Sequence, residues 1–190
     1  MRVLEQAAAA SCRIRPAERH EATPIASTRV AAYAQYRTRL PGPVFDAYLD
    51  ELRHVEDPAR GTQVLVAELE GRLVGSVVFH ADAGSQGQAV PKGWAGFRKL
   101  AVHPDLRGRG LGRRLVQHCV ERARAMGALN MGIHSASFMT AACKLYQQMG
   151  FGRCPEHDLR VSAFLNLAPP AGEDVVVIAY RMNLAGSTAC

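Results

Sequence analysis

The stretch that joins residues 100–102 to the middle of the chain reads Leu106-Arg107-Gly108-Arg109-Gly110-Leu111-Gly112-Arg113-Arg114. Residues 100–102 have the length and apolar content of a buried strand, and a helical apolar pattern begins within the quoted stretch. One stripe of the predicted helix is apolar and comprises Leu111, Leu115, Val116, Cys119, Val120 and Ala123. Gly127 then supplies a helix stop. The order is strand, glycine-rich turn, helix.

Four arginines crowd the start of this helix. The N-terminal end of a helix carries about half a positive charge and unpaired N–H groups, so each cation there costs about 0.3 to 1 kcal/mol. A bound polyanion reverses the sign of that cost, and the glycines at 108, 110 and 112 let backbone N–H groups approach its phosphates closely. The stretch therefore predicts a pyrophosphate site.

Three kinds of phosphate-binding turn compete for this stretch. A Walker loop ends in Gly-Lys-Ser/Thr, whereas Gly112 is followed by two arginines. A dinucleotide fingerprint requires G-x-G-x-x-G and an acidic residue about 20 positions later, and residues 129–131 contain no carboxylate. The remaining pattern, R-x-x-G-x-G over residues 107–112, resembles the coenzyme A pyrophosphate loop of the GCN5-related N-acetyltransferase (GNAT) family.

A second motif follows about 35 residues later. Residues 142–151 read Ala-Cys-Lys-Leu-Tyr-Gln-Gln-Met-Gly-Phe and are similar to the family signature A-x-x-L-Y-x-x-x-G-F. The two motifs occur in the expected order, with a predicted strand at residues 130–135 between them. By this resemblance the chain is identified as a member of the GNAT family.

The resemblance implies a fold and a cosubstrate. The fold is α/β, with a central mixed sheet of about six to seven strands, an antiparallel N-terminal part, a splayed parallel pair and about four flanking helices. Acetyl-CoA is the implied acetyl donor, and its pantetheine arm would lie between the splayed strands. The residues whose backbone would pair with pantetheine are Leu100, Ala101 and Val102. The loop that would hold the pyrophosphate comprises Arg107, Gly108, Arg109, Gly110, Leu111 and Gly112, with Arg113 beside it.

The resemblance also implies a general acid. Tyr146 matches the family tyrosine that lies near the thioester sulfur, so it is the predicted catalytic residue. A phenol with a reference pKa near 10 can protonate a thiolate with a reference pKa near 8.5 only if hydrogen bonding assists. The alternative is that Tyr146 packs under the coenzyme without taking part in the chemistry.

The general base is harder to place. Many relatives carry a glutamate on the strand before the loop, whereas this chain reads Gly96-Phe97-Arg98-Lys99 there. Relatives also often carry an asparagine where this chain has Met139. Water-mediated deprotonation is the default, and the candidate side chains elsewhere are His134, His80, Glu68 and the run Glu156-His157-Asp158.

Arg98 and Lys99 suggest a further role near the reaction centre. Two cations at this place suit an acidic acceptor, such as an amine that bears a carboxylate. Because side chains alternate along a strand, we expect only one of the two to point into the site.

Length and composition limit the domain organisation that the chain can have. The chain has 190 residues and 48% apolar content, which suits a single acyltransferase domain at residues 12–184. Residues 1–11 are expected to be a disordered extension and residues 185–190 a tail. The five cysteines are unevenly spaced and contain no C-x-x-C pair, so we expect no disulfide framework, no metal site and a reducing cytoplasm.

The net charge of the chain restricts the kinds of partner that we expect. The net charge of +6 favours anionic partners, and a nucleotide-like cosubstrate alone accounts for it. One Trp and five Tyr form no basic stripe interleaved with aromatics, which argues against nucleic acid. The apolar run at residues 7–10 is too short to cross a bilayer, so no membrane partner is expected. The resemblance leaves a homodimer open.

The remaining pattern predicts the other elements. Residues 12–17 suggest a first strand, and Thr23-Pro24 marks a helix start. A second helix is predicted over residues 44–55, and Glu70-Gly71 is the turn of a hairpin between residues 64–69 and 73–79. In the tail, strands are expected at residues 159–164 and 175–182, with a loop at residues 166–174.

The leading functional hypothesis is an acetyl-CoA-dependent N-acetyltransferase that acts on a primary amine of a small or amino-acid-like acceptor by direct attack in a ternary complex. One alternative is an acetyltransferase with a protein or aminoacyl-tRNA acceptor, which the basic balance suggests. Another is a coenzyme A-binding module without turnover, which the missing glutamate and Met139 suggest.

Overall fold

Eight strands form one sheet, and helices pack on both of its faces. The computed structural model describes residues 12–58, 61–164 and 174–185. The predicted extension at 1–11, nearly all of the predicted loop at 166–174 and the predicted tail after residue 185 lie outside the described residues. The strands are β1 (Arg13–Pro16), β2 (Thr62–Leu69), β3 (Arg72–His80), β4 (Ala95–Val102), β5 (Asn130–Ala136), β6 (Gly152–Arg153), β7 (Leu159–Arg160) and β8 (Val176–Asn183). The helices are α1 (Ala22–Tyr33), α2 (Gly42–Arg53), α3 (Leu111–Ala125), α4 (Thr140–Gln148) and α5 (Val161–Phe164).

The strand order is β1-β2-β3-β4-β5-β8-β6, and β7 also pairs with β8. Within the described part of the chain, β4 and β5 are parallel and the other pairs are antiparallel. The predicted mixed sheet with an antiparallel N-terminal part is therefore confirmed. It has one strand more than expected because β6, with two residues, is too short to show a sequence period.

The predicted hairpin is β2 and β3. Its turn residues, Glu70 and Gly71, have φ values of 51° and 75°, which are the left-handed values that a two-residue type I′ turn requires. The hairpin places both strands antiparallel in the N-terminal half of the sheet, next to β4.

The splayed pair is also confirmed. The parallel strands β4 and β5 pair at Ala95–Met131 and Gly96–Gly132, and no further pair follows within the described residues. Glycine at 96 permits this close approach, because a Cβ there would lie 2.7 Å from the carbonyl oxygen of Gly132. Beyond that point the strands diverge, and one edge of β4 has no strand partner.

An irregularity in β4 changes where its side chains point. Lys99 has a φ of 52°, and the register of β4 against β3 shifts next to it. Such a bulge breaks the alternation of side chains along a strand. Arg98 and Lys99 consequently both reach Glu56, and both line the cavity described below, so the expectation that only one of the two faces the site is wrong.

Different helices cover the two faces of the sheet. The six predicted apolar residues of α3 are each at most 3% exposed and pack with Leu65 and Phe97. Full burial of each Leu or Val among them contributes about 1.5 to 3 kcal/mol. Val66, the neighbour of Leu65 on β2, belongs to the cluster around Ile25 of α1 on the opposite face.

Two predicted boundaries differ from the structure. The first helix begins at Ala22 rather than at Thr23-Pro24, because a 3₁₀ turn at Arg19–Glu21 leads into it. This turn is held by Arg15, whose Nη2 donates to Oε1 of Glu21 at 2.7 Å. The predicted strand at residues 159–164 is mostly wrong, since β7 ends at residue 160 and the single turn of α5 follows. Among the described helices, none is both long and apolar enough to cross a membrane.

Candidate active site

A cavity of about 500 Å³ lies where β4 and β5 diverge. The glycine-rich loop after β4, the end of β5, and α4 line it on one side, and α1 and α2 line it on the other. The predicted site residues that line it are Leu100, Val102, Arg107, Gly108, Gly110, Leu111, Gly112, Arg113 and Tyr146. Two predicted residues are not part of the lining: the Ala101 side chain packs in the core under α1 and α2, and Arg109 is exposed.

The loop presents its backbone to open space. Gly108 and Gly110 have φ values of 77° and 76°, and no heavy atom lies within 4 Å of where a Cβ would be at either position. Gly110 is the residue that caps the N-terminus of α3. Left-handed glycines directly before a helix leave unpaired N–H groups accessible, which is the arrangement that binds phosphate elsewhere.

Arg107 connects this loop to α1. Its guanidinium donates to the carbonyl of Ala32 at 2.7 Å and to Oε1 of Gln35 at 3.1 Å. On the other side of the loop, Arg113 donates to Oε1 of Gln148 at 3.1 Å. Two cations therefore flank the loop, and the acceptors that they bond to are uncharged oxygens.

Tyr146 is buried on one wall of the cavity, 4% exposed. Its ring packs edge-on against Phe97 at 5.7 Å and against Phe151 and Tyr180 at 6.0 Å each. Burial raises the pKa of its phenol well above the usual value, so the group is protonated at neutral pH. The hydroxyl makes no hydrogen bond to the described residues, which leaves its proton available to a ligand.

His134 is the one base candidate from the sequence that lines the cavity within the described residues. Its Nε2 lies 2.9 Å from the carbonyl oxygen of His157. A carbonyl only accepts, so Nε2 carries the proton and Nδ1 keeps a free lone pair. Burial lowers the pKa of His134, and the ring is neutral at neutral pH.

The other base candidates lie elsewhere. His80 is 4% exposed, its Nδ1 contacts the hydroxyl of Thr62 at 3.0 Å, and it does not line the cavity. Glu68 forms an ion pair with Arg15 at 2.7 Å. Of residues 156–158, Asp158 forms an ion pair with Arg153, and Glu156 is exposed outside the cavity.

Five charged residues form a cluster at the α2 side of the cavity, called here the buried charge cluster: Arg29, Glu51, Glu56, Arg98 and Lys99. Glu56 is its centre, with Arg98 Nη2 at 3.0 Å and Lys99 Nζ at 2.9 Å from its Oε1. Burial raises the pKa of Glu56, but Arg29 and Lys99 outweigh burial and hold that pKa at about 2. Glu56 is therefore a carboxylate at neutral pH.

Sequence reasoning missed Arg29, Glu51 and Glu56. The pairs that join Glu56 to Arg29 and to Arg98 are separated by 27 and 42 residues, so no local pattern links them. Glu51, Arg98 and Lys99 line the cavity, and each is already ion-paired within the cluster. Both Arg98 and Lys99 thus face the site.

The sequence model of the acetyltransferase (GNAT) family matches residues 27–151, a range that contains both motifs. The chain belongs to the GNAT family. It is 32% identical over 108 residues to the uncharacterized N-acetyltransferase YjgM of Escherichia coli strain K12, an alignment that covers 57% of this chain and 61% of that protein. It is 35% identical over 87 residues to the [ribosomal protein bS18]-alanine N-acetyltransferase of Salmonella typhimurium, covering 45% and 54% of the two chains.

The alignments thus span between about half and three fifths of these curated relatives. The GNAT fold is also found in yncA, a putative acetyltransferase from Salmonella typhimurium solved with its cofactor acetyl-CoA. That structure matches this one with a TM-score of 0.59 and 21% identity, over 95% of this chain and 99% of the other. The sequence-based assignment to the GNAT family is confirmed.

This GNAT chain carries an aromatic wall opposite Tyr146: Tyr33, Tyr36, Tyr48 and Phe138. Tyr33 packs edge-on against Tyr48 at 5.6 Å, and Tyr36 lies 5.3 Å from Phe138. The hydroxyl of Tyr33 donates to the carbonyl of Leu100 at 3.1 Å. The three tyrosines therefore pack against one another and also line the cavity.

Proposed function

We propose that this chain transfers the acetyl group of acetyl-CoA to a primary amine of a small acceptor in a ternary complex. The observation that carries the proposal is the single cavity, which connects the glycine-rich loop, the unpaired edge of β4, Tyr146, His134 and the aromatic wall. A donor entering at the loop and an acceptor at the wall would meet next to Tyr146.

The donor end of the cavity fits a diphosphate followed by a polyamide arm. The loop offers backbone N–H groups at Gly108 to Gly112 between the cations Arg107 and Arg113. The edge of β4 left by β5 at residues 100–102 offers peptide groups in extended geometry, to which an amide-containing arm can pair as a strand would. Acetyl-CoA supplies the reactive thioester.

We expect Gly110→Ala to raise the dissociation constant of coenzyme A about 10-fold, because a side chain at a φ of 76° strains the loop and moves a backbone N–H away from the phosphate, and loss of one charge-assisted hydrogen bond costs about 1.5 to 3 kcal/mol. The matched control is Gly87→Ala, because Gly87 has a similar φ of 80°, open space around its Cβ position, and no place in the cavity lining. Isothermal titration calorimetry measures the affinities, and thermal unfolding measures the strain that both variants share. Equal coenzyme A affinities in the two variants would contradict the assignment of the loop.

Acetyl transfer requires two proton movements. The amine nitrogen attacks the thioester carbonyl, the N–C bond forms, the C–S bond breaks, the nitrogen loses a proton and the sulfur gains one. An alkylamine of pKa about 10 is only about 0.1% neutral at pH 7, so a base that accepts its proton contributes about 10²- to 10⁴-fold. An acid that protonates the thiolate contributes in the same range.

We assign the base to His134. Its tautomer, fixed by the His157 carbonyl, leaves Nδ1 as the acceptor, and its neutral state at pH 7 suits a base. We assign the acid to Tyr146, whose raised pKa keeps its proton in place until a thiolate appears. His134 on β5 would thus replace the glutamate that many relatives carry on the strand equivalent to β4, across the gap between the two splayed strands.

The test is thiol release by the purified chain with acetyl-CoA and a panel of primary amines, followed by mass spectrometry of the acceptor. We expect acceptor-dependent release well above the rate without amine, together with the acetylated amine. Heat on coenzyme A titration without thiol release from any amine would instead support a binding module without turnover. No heat at all would reject the proposal at its first step.

A second candidate acceptor is the N-terminal amine of a protein. It is favoured by the 35% identity to a relative named for alanine acetylation of ribosomal protein bS18. Short peptides that begin with alanine, tested beside the same peptides with an acetylated N-terminus, distinguish it from the small-molecule reading. Higher kcat/KM for the peptides than for every free amine would select the protein acceptor.

A further inference from the structure

The buried charge cluster carries an unbalanced positive charge. Its three cations, Arg29, Arg98 and Lys99, are ion-paired with two carboxylates, Glu51 and Glu56. Arg29 is fully buried, and the side chains of Lys99 and Glu56 are 5% and 9% exposed. Within the described residues no third carboxylate pairs with these cations, so the cluster has a formal charge of +1.

The histidine next to the cluster does not change this balance. Burial, and after it the charge of Arg98, lower the pKa of His80 to about 4. His80 is therefore neutral at neutral pH. The positive charge remains uncompensated at the cavity, which favours an anionic group there.

Among the described residues that line the cavity, two nitrogen donors have no hydrogen-bond partner; within the cluster but outside the lining, Nη2 of Arg29 is also unpartnered. Nε of Arg98 and Nε2 of Gln88 are both buried and unbonded, and both residues line the cavity. Arg98 uses Nη2 for Glu51 and Glu56, which leaves Nε unused. A buried donor without an acceptor destabilises the protein, so an acceptor atom supplied by a ligand would be strongly favoured.

The two donors lie on the same face of β4. Oε1 of Gln88 is 3.5 Å from the Cβ position of Gly96, and Arg98 follows Gly96 by two positions, before the bulge. A third unpartnered group, Oγ of Ser135 on β5, lies across the gap and is 6% exposed as a residue. Arg98 lies four residues before Val102, about 13 Å along β4, on the side away from the phosphate loop.

We infer that the acceptor bears a carboxylate, which binds to Arg98 and Gln88, and an apolar body, which packs on the aromatic wall. This inference rests on the proposed function, because it names the substrate class of the same cavity. The carboxylate would neutralise the cluster and satisfy both donors. The same positive charge disfavours an acceptor in its ammonium form, so it assists loss of the amine proton and selects against polyamines.

The first experiment needs no turnover. Isothermal titration calorimetry measures how tightly the coenzyme A-saturated protein binds 3-phenylpropionate and its uncharged analogue 3-phenylpropanamide. We expect the acid to bind at least about 10-fold more tightly than the amide, because a hydrogen bond to a charged group contributes about 1.5 to 3 kcal/mol. Equal affinities, or no binding of the acid, would overturn the inference.

Two variants locate the effect. Gln88→Leu removes one unpartnered donor outside the ion pairs, and Arg98→Lys keeps the charge but removes Nε. Each is expected to reduce the acid-to-amide affinity ratio about 10-fold, because each removes one charge-assisted hydrogen bond. Gln117→Leu is the control, since Gln117 bonds to Glu121 on α3 outside the cavity and should leave the ratio unchanged. An unchanged ratio in both site variants would place the carboxylate elsewhere and reject the assignment.

The second experiment compares matched acceptors: phenylalanine with 2-phenylethylamine, and leucine with 3-methylbutylamine. We expect kcat/KM to be at least about 10-fold higher for the member that carries the carboxylate. Equal kcat/KM values within each pair would overturn the inference of a carboxylate-bearing acceptor and leave the proposed acetyl transfer intact. Absence of thiol release with every amine overturns the proposed function, and the acid titration separates the two outcomes.

Discussion

Replacement of His134 by Gln is expected to lower kcat about 10²- to 10³-fold, the range that loss of a general base produces. Glutamine can still donate to the His157 carbonyl, so the local hydrogen bond of β5 is kept while the proton acceptor is lost. The wild-type rate should fall as the pH decreases through the pKa of His134, because the ring must be neutral to accept a proton. Burial lowers that pKa, so the acidic limb of the kcat profile should lie below the reference value of about 6.5.

The matched readout is the pH profile of the variant, measured by thiol release. The acidic limb should disappear in His134→Gln, and affinity for coenzyme A should remain. His118→Gln, which changes a histidine on α3 outside this cavity, should retain both the rate and the limb. An acidic limb that persists in His134→Gln would leave water as the base. The neighbouring side chains that act electrostatically on this ring are His157 and Asp158, so the position of the limb reports on them as well.

Replacement of Tyr146 by Phe is expected to lower kcat about 10²-fold or more, since the thiolate would leave without a proton donor. The ring contacts with Phe97, Phe151 and Tyr180 are retained, and the hydroxyl has no partner among the described residues. Stability should therefore change little. Thiol release and thermal unfolding together distinguish a chemical role from a packing role.

The control for this variant is Tyr180→Phe. Tyr180 is a buried tyrosine 6.0 Å from Tyr146 by ring centroids, and it does not line the cavity. It should keep kcat within about 3-fold, since its hydroxyl lies outside the cavity that would hold both substrates. If Tyr146→Phe instead weakened coenzyme A binding at unchanged kcat, Tyr146 would be a packing residue under the donor.

Local periodicity explains what could be predicted from the sequence. All six predicted core residues of α3 are buried, because a helix repeats its apolar face every three or four positions. The turn at Glu70-Gly71 follows from two residues that tolerate positive φ. The glycine loop and Tyr146 were located by short motifs, and the structure brings them into one cavity.

Tertiary contacts explain what could not be predicted. The bulge at Lys99 has no sequence marker, since positive φ is uncommon for lysine, and it redirects two cations at once. The cluster around Glu56 joins residues from α1, β4 and the segment after α2. His134 was one of several base candidates, and only the fold distinguishes it, by placing it in the cavity with a fixed tautomer.

The contact between Arg107 and the end of α1 has a consequence for how each substrate affects the binding of the other. The guanidinium bonds to the Ala32 carbonyl, and the next residue, Tyr33, bonds to Leu100 beside the donor edge. A diphosphate that draws Arg107 toward itself would remove one of the two side-chain donors of that carbonyl, leaving Nε2 of Gln35 at 2.9 Å, and would change the support of the aromatic wall. Donor and acceptor affinities are thereby linked, and thermodynamic reciprocity makes the linkage equal in both directions.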